Sequence, residues 1–233
     1  MPPLPPPGLG APAVLERIAA AAVRAGRDPS SVTLVAAAKT VEPDRIVEAG
    51  VGDVGENRAQ ELAAKQEALG AYPIRWHFIG RLQRNKVRLV AGRVALIHSV
   101  DSFEPARAVG GRAVAAGLVQ PVLIQVNLSG ETAKAGVEPA GLGALIDAAR
   151  EIDGIEVRGL MTIPAPGDEA ATRVVFRSLA AAARAHGLAD LSMGMTGDFE
   201  IAVEEGATIV RVGTAIYGIR PAPGGGPTPP GGG

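Results

Sequence analysis

The chain has 233 residues, enough for one ordinary domain or one compact α/β barrel, and with 47% hydrophobic and 20% charged residues its composition predicts a large buried core and excludes global disorder. Lys and Arg total 23 against 24 for Asp and Glu, and this net charge of −1 argues against nucleic acid as the main partner, because phosphate backbones select basic surfaces. Since the chain has no cysteine, disulfides, thiolate nucleophiles and iron–sulfur clusters are excluded.

The two ends of the chain differ in composition from the interior. Residues 1–12 are rich in proline and lack the basic start and apolar run of a secretory signal, and residues 222–233 form a Pro/Gly tail. Such segments bury too little surface to offset their chain entropy, so we expect both tails to be disordered. The sequence has no stretch of about 18 uncharged apolar residues, so no membrane span is predicted. The expected folded unit is residues 13–221.

The interior alternates short apolar runs with stretches rich in Ala, Glu and Arg. A helix predicted over residues 13–25 precedes eight runs of strand composition. The predicted strands are residues 32–38, 51–55, 74–79, 94–100, 122–128, 157–163, 191–195 and 208–212. Strands that alternate with helices indicate a parallel sheet. Eight of them in about 200 residues favour a single (β/α)8 TIM-type barrel over the alternative, an open doubly wound sheet.

Lys39 is the first candidate for chemistry. In a barrel, functional side chains collect at the carboxyl ends of the strands. Of the four lysines, Lys39 alone directly follows a predicted buried strand. We therefore predict a semi-buried amine with a lowered pKa, which can attack a carbonyl to form a Schiff base. The alternative is a lysine that simply leaves the core for solvent.

The ends of the last two predicted strands have the composition of an anion site. Each places glycine beside a hydroxyl residue, Gly197 next to Thr196 and Gly213 next to Thr214. Glycine allows close backbone approach, and the helix starts that follow present free N–H groups. Barrels often bind phosphate in these two loops. Together with Lys39, the pattern predicts a ligand with a phosphate at one end and an aldehyde at the other.

Six motifs follow one another along the predicted folded unit. They are V-x3-K-T at 35–40, G-E-N at 55–57, W-H-F-I-G-x-L-Q-x-N-K at 76–86, G-L-M-x-I-P at 159–164, S-M-G-M-T-x-D at 192–198 and V-R-V-G-T-A-I-Y-G at 210–218. Together they closely resemble the YggS/PROSC family of pyridoxal phosphate homeostasis proteins over about residues 13–220. The third and the sixth motif are the most specific, and only the two tails lie outside the match.

The resemblance implies a barrel like the N-terminal domain of alanine racemase, with pyridoxal 5'-phosphate (PLP) bound as a Schiff base on Lys39. It implies that Arg211 faces the pyridine nitrogen and that Asn57 and His77 lie near the ring. The phosphate would be held by Thr196, where the family often has serine, and by the last strand end. The full implied set is Lys39, Asn57, His77, Met195, Thr196, Arg211, Gly213 and Thr214, with no metal.

A charged arginine beside the pyridine nitrogen disfavours the protonated ring and so weakens it as an electron sink. We therefore expect a cytoplasmic carrier that buffers PLP and hands it to apo-enzymes, without robust catalytic activity. A monomer is the simplest expectation, with a weak dimer as the alternative.

The alternative functions are a PLP-dependent amino acid racemase and a Schiff-base aldolase. A racemase needs a second acid or base on the opposite face of the ligand, which related racemases take from an additional domain. We expect Tyr217 to have a packing role, and His98 and His186 to be structural or surface residues rather than catalysts. The segment 127–136 also resembles the family and is either a lid, a second cofactor site or a polar surface loop.

Overall fold

The computed structural model describes residues 8–130, 135–165 and 168–218, in which eight parallel strands close into a barrel in chain order. The strands are β1 (Thr33–Ala37), β2 (Asp53–Glu56), β3 (Arg75–Phe78), β4 (Leu96–Val100), β5 (Gln120–Gln125), β6 (Ile155–Met161), β7 (Asp190–Ser192) and β8 (Ile209–Val212). Closure comes from the pairing of β1 with β8, which sets Val35 beside Arg211. The predicted (β/α)8 barrel is confirmed, and all eight predicted strands are present with ends that differ by a few residues.

Helices surround the barrel. They are α1 (Gly10–Arg24), α2 (Pro43–Ala49), α3 (Ala59–Ala68), α4 (Val87–Val90), α5 (Phe103–Ala115), α6 (Leu142–Arg150), α7 (Glu169–Ala185), α8 (Phe199–Glu204) and α9 (Thr214–Tyr217). The predicted additional N-terminal helix is α1, which begins at Gly10, within the predicted tail. The rest of that tail up to residue 7, the C-terminal tail and residues 131–134 of the 127–136 segment lie outside the described residues. No helix in the described part of the chain has both the length and the apolar character needed to cross a membrane.

The strands divide the core into an outer and an inner layer. Outward-facing residues such as Val54, Phe78 and Val210 pack against the helices in one large apolar cluster. Alternate strand positions point into the barrel, where a smaller cluster consists of Val35, Leu96, Leu123, Met161 and Ile209. The inner positions also hold buried polar side chains, namely His77, His98, Ser192 and Arg211. The interior of the barrel is therefore partly polar, and the arginine lies at its carboxyl end.

Candidate functional site

A cavity of about 580 Å³ opens at the carboxyl ends of the strands, within the size range of small-molecule sites. Seven of the eight residues that the sequence resemblance implied line it: Lys39, Asn57, Met195, Thr196, Arg211, Gly213 and Thr214. Ala37, Ile79, Ile163 and Tyr217 add apolar wall. Residues that are distant in sequence thus meet because parallel strands end at the same edge of the barrel.

Lys39 lies two residues after the end of β1 and lines the cavity. The residue is exposed, so the prediction of a semi-buried amine was wrong: the strand ends before the lysine, which emerges from the core with the loop. Within the described ranges its amine has no hydrogen-bond or ion-pair partner. An amine that is free, cationic when protonated and directed into a walled cavity is available to a bound carbonyl or anion.

A buried ion pair supports the two loops that carry Lys39 and Asn57. The amine of Lys65 on α3 donates to Glu56 Oε2 at 2.5 Å and to the Ala38 carbonyl at 2.7 Å. The other carboxylate oxygen of Glu56 accepts the backbone N–H of Asn57 at 2.6 Å. Glu56 is 0% exposed and Lys65 is 8% exposed. The pair therefore fastens the end of β1 to the end of β2 directly beneath the cavity.

Arg211 supplies a buried positive charge at the cavity floor. Its side chain donates from Nη1 to Ser192 Oγ at 2.5 Å and from Nη2 to the Thr162 carbonyl at 3.1 Å. Burial lowers the pKa of Arg211 to about 10, and the charge of Asp198 opposes this shift. The guanidinium stays protonated at neutral pH. Since none of the described residues forms an ion pair with it, the cavity has a net attraction for an electron-rich ligand atom.

The loop after β7 is held by its own aspartate. Asp198 Oδ1 accepts the backbone N–H of Met195 at 2.6 Å. Burial raises the pKa of Asp198, while this hydrogen bond and the charge of Arg211 lower it. The contact closes the turn that presents Met195 and Thr196 to the cavity.

The loop after β8 brings backbone and hydroxyl groups to the same cavity, next to the loop after β7. The hydroxyl of Thr196 accepts the backbone N–H of Ala215 at 3.3 Å, which links the two loops. A side chain at Gly213 would place its Cβ 3.0 Å from the Ala37 carbonyl oxygen, so the close approach of β8 to β1 requires glycine. The first N–H groups of α9 have no intrahelical acceptor. Hydroxyl and N–H donors of this kind suit a phosphate.

Tyr217 has a buried polar atom that lacks a partner. Its hydroxyl is buried and has no hydrogen bond to the described residues, and the residue lines the cavity from α9. Burial raises its pKa to about 12, so the group remains a neutral donor. A buried donor without an acceptor costs free energy, and a ligand oxygen in the cavity would satisfy it.

His77 is the one implied residue that the structure does not bring to the cavity. Its ring lies in the barrel interior near the amino ends of the strands, where Nε2 is 2.8 Å from Asp53 Oδ1 and Nδ1 is 2.9 Å from His98 Nε2. The expected place near the cofactor ring is therefore corrected. The alternation of β3 does turn His77 inward, but its height along the strand places it below the cavity, next to Asp53 of β2.

Sequence reasoning missed three residues of the site. Lys65 lies in a helical stretch rich in charged residues and received no role, although its spacing of three from Leu62 and four from Leu69 is the signal of a buried helix face. Glu56 was quoted in a motif without a role. Tyr217 was assigned to packing, which its buried ring fulfils, but the residue also lines the cavity.

Comparison with known proteins agrees with this arrangement. The profile of the alanine racemase N-terminal domain family matches residues 16–221. A pyridoxal phosphate homeostasis protein of Aquifex aeolicus is 47% identical over 220 residues, covering 89% of this chain and 95% of the relative.

Solved structures show the same relation. PipY of Synechococcus elongatus, with PLP bound, is 36% identical, has a TM-score of 0.76 and is matched over 88% of this chain and all of its own. Alanine racemase of Corynebacterium glutamicum, at 20% identity and a TM-score of 0.64, shares the fold over 93% of this chain and 64% of its own. The chain therefore belongs to the alanine racemase N-terminal domain family, among the pyridoxal phosphate homeostasis proteins.

Proposed function

We propose that this chain binds PLP in the mouth cavity as a Schiff base on Lys39 and serves PLP homeostasis as a carrier or buffer. The proposal rests on one observation: Lys39, Arg211 and the two loops that contain Thr196 and Gly213 line the same cavity. It is supported by the PLP-bound PipY structure and by the names of the curated relatives. The proposal includes a cytoplasmic, monomeric protein that delivers PLP to apo-enzymes.

The residues present fit the cofactor at both ends. The phosphate needs several donors, and the hydroxyls of Thr196 and Thr214 and the backbone N–H of Thr214 supply them next to a glycine that has no side chain. The unpartnered Tyr217 hydroxyl provides a further donor. Lys39 supplies the amine for the aldehyde. PLP brings an aldehyde that condenses with amines and a ring that can delocalise electrons.

The position of Arg211 favours holding the cofactor over activating it. If PLP is held as the resemblance implies, the guanidinium of Arg211 would face the pyridine nitrogen and disfavour its protonation, which would make the ring a weaker electron sink. The buried environment of Arg211 leaves it protonated throughout the neutral range, since its pKa falls only to about 10. The chain thus binds PLP with little stimulus to carbanion chemistry.

The cavity also offers little for racemisation. Among the residues that line it, the ionisable side chains are Lys39, Arg211 and Tyr217. A two-base racemase needs a second proton donor and acceptor across the ligand from the lysine. Tyr217, with a pKa raised to about 12 by burial, is a poor base at neutral pH.

Absorption spectroscopy of the purified protein tests the proposal. PLP titrated into the wild-type chain is expected to give a saturable spectral change. The change should be absent in Lys39→Ala and present in Lys86→Ala, a control in the short helical turn at 84–86. Racemisation of amino acids should not exceed that of free PLP. A PLP-loaded sample should reactivate an apo-enzyme, and size-exclusion chromatography should give a monomer. Equal titration curves for all three proteins would refute the site, and rapid sustained racemisation would identify a racemase.

A further inference from the structure

A continuous run of hydrogen-bonded side chains crosses the barrel from its amino end to the cavity floor. It connects inner positions of five strands, β2, β3, β4, β7 and β8. In order from the amino end, its members are Asp53, His77, His98, Ser192 and Arg211. We call this run the axial chain. Its four contacts measure 2.8 Å, 2.9 Å, 2.8 Å and 2.5 Å, so every link is within hydrogen-bond distance and the bond from Arg211 is the shortest.

With both imidazoles neutral, the two ends of the axial chain fix the direction of every hydrogen bond in it. A guanidinium can only donate and a carboxylate can only accept. Ser192 Oγ therefore accepts from Arg211, and its hydroxyl hydrogen is left for His98 Nδ1. His98 must then carry its proton on Nε2 and donate it to His77 Nδ1. By the same reasoning, His77 donates from Nε2 to Asp53.

The alternative, a proton on His77 Nδ1 that faces His98, would require the proton of His98 to move to Nδ1 and would leave the Ser192 hydroxyl hydrogen without an acceptor among the described residues. The groups in the barrel interior are buried, with His98 at 0% exposure and His77 at 1%. Burial, followed by the proximity of His77 and Arg211, lowers the pKa of His98 well below its usual value. The axial chain thus has a cation at one end, an anion at the other and neutral groups between.

The geometry points to Ser192 and His98 as positioning residues that orient the Arg211 guanidinium toward the cavity. The contact of Arg211 with the pyridine ring of PLP rests on the proposed function. The positioning of Arg211 by the axial chain is independent of that function. Two acceptors on different strands, Ser192 Oγ and the Thr162 carbonyl, fix the guanidinium plane. His98 fixes the hydroxyl of Ser192 as an acceptor for the arginine, because the hydroxyl hydrogen is committed to the ring. Without this commitment the hydroxyl could rotate and point its hydrogen at the guanidinium.

Nuclear magnetic resonance of the cofactor-free protein tests the axial chain without relying on PLP. In protein labelled with 15N histidine, both His77 and His98 are expected to be neutral and protonated on Nε2 at neutral pH. A scalar coupling between His98 Nε2 and His77 Nδ1 should report the bond between the rings. A charged ring, or a proton on Nδ1 of either one, would overturn the inference.

A pair of buried serines gives the matched variants. Ser192→Ala removes the link to Arg211, whereas Ser99→Ala removes a buried hydroxyl on β4 that bonds to the Gly80 carbonyl, outside the axial chain. Restricted rotation of the Arg211 guanidinium, seen as separate Nη resonances, should be lost in Ser192→Ala and kept in Ser99→Ala. If both variants retain separate resonances, Ser192 does not position the arginine.

The loaded protein gives a second readout. With PLP bound, Ser192→Ala should shift the absorption maximum and weaken binding by about tenfold or more, because the arginine loses a buried charged hydrogen bond. Ser99→Ala should leave the absorption maximum unchanged. Loss of PLP binding in the wild type itself would refute the proposed function, while the cofactor-free resonances would still decide the role of Ser192. An unchanged spectrum in Ser192→Ala would contradict the inference.

Discussion

At the scale of single residues, the turn after Lys39 has the most unusual backbone in the described part of the chain. Thr40 has φ 58°, and it is the one non-glycine residue there with a positive φ. A β-branched residue in the left-handed region is strained, and such strain tends to occur at functional sites. The Thr40 hydroxyl donates to the Lys39 carbonyl at 2.6 Å, and both residues line the cavity. The strain thus lies next to the amine that is proposed to react.

Replacing the strained residue should therefore stabilise the fold. Thr40→Gly is expected to raise the free energy of unfolding by about 1 kcal/mol, because glycine adopts this conformation without steric cost. Val41→Gly, one residue later without a positive φ, should lower it through the loss of a packed side chain and the added chain entropy. Urea unfolding followed by circular dichroism measures both changes. A loss of stability in Thr40→Gly as large as that in Val41→Gly would show that Thr40 is not strained.

At the scale of elements, the site depends on how strands and helices are fastened to each other. The Glu56–Lys65 pair connects β1, β2 and α3, and neither partner has much access to water. A buried pair of this kind adds little net stability over an apolar pair, but removal of one partner leaves a charge buried and unpaired. The pair is thus better suited to fixing the relative position of the two loops than to stabilising the barrel.

Removal of one partner should consequently cost more than replacement of both. Lys65→Met is expected to lower the free energy of unfolding by about 3–5 kcal/mol, and the double variant with Glu56→Leu should recover much of this loss. Lys86→Met, a partly exposed control, should change it by no more than about 0.5 kcal/mol. Denaturant titration of the four proteins checks the order. A single variant as stable as the control would show that the pair is not buried in solution.

Two adjacent glycines of α5 test the packing of a helix on the barrel. A Cβ at Gly110 would lie 2.4 Å from Ile152 Cγ2 and 2.5 Å from the Asp153 carbonyl oxygen, whereas a Cβ at Gly111 would meet nothing within 4 Å. Gly111→Ala should stabilise the protein by up to about 1 kcal/mol through helix propensity. Gly110→Ala should destabilise it by about 1–3 kcal/mol through overpacking. Thermal unfolding of the two variants measures both changes in stability. Equal changes in melting temperature would contradict the close packing of α5 at Gly110.

The same elements show what a sequence can predict here. The strands were predictable because each is an apolar run, and closure of a barrel follows from their number and their alternation with helices. Lys39 was found because it follows a buried strand, and Arg211 was found because its motif resembles that of the family. The burial of Lys65 was missed because a lysine among Glu, Gln and Ala resembles a solvated helix face, and the position of His77 was wrong because a motif does not give height along a barrel axis.

At the scale of the whole molecule, a buried neutral histidine couples folding to pH. Burial holds the pKa of His98 well below its usual value, whereas in the unfolded chain it is near the reference of about 6.5. The unfolded state therefore binds a proton that the folded state rejects. The contribution of His98 to stability is fully present above about pH 6.5 and decreases as the pH falls through that value.

The slope of stability against pH measures this coupling. Between about pH 6.5 and pH 5.5, His98 should contribute up to about 1.4 kcal/mol per pH unit, the value for one proton. His98→Asn, which cannot titrate, should lack this contribution even where its absolute stability is lower. Urea unfolding at a series of pH values gives both slopes. Parallel curves of stability against pH for the wild type and His98→Asn would mean that His98 is protonated equally in the folded and the unfolded chain.

The central claim is that the amine of Lys39 receives PLP in the cavity floored by Arg211. Borohydride reduction of the PLP-loaded protein, followed by proteolysis and mass spectrometry, tests it most directly, because reduction converts a Schiff base into a permanent bond. The account predicts one pyridoxyl group per chain on the peptide that contains Lys39, and none after reduction of Lys39→Ala. A label that is distributed among Lys65, Lys86 and Lys134, or that persists in Lys39→Ala, would contradict it.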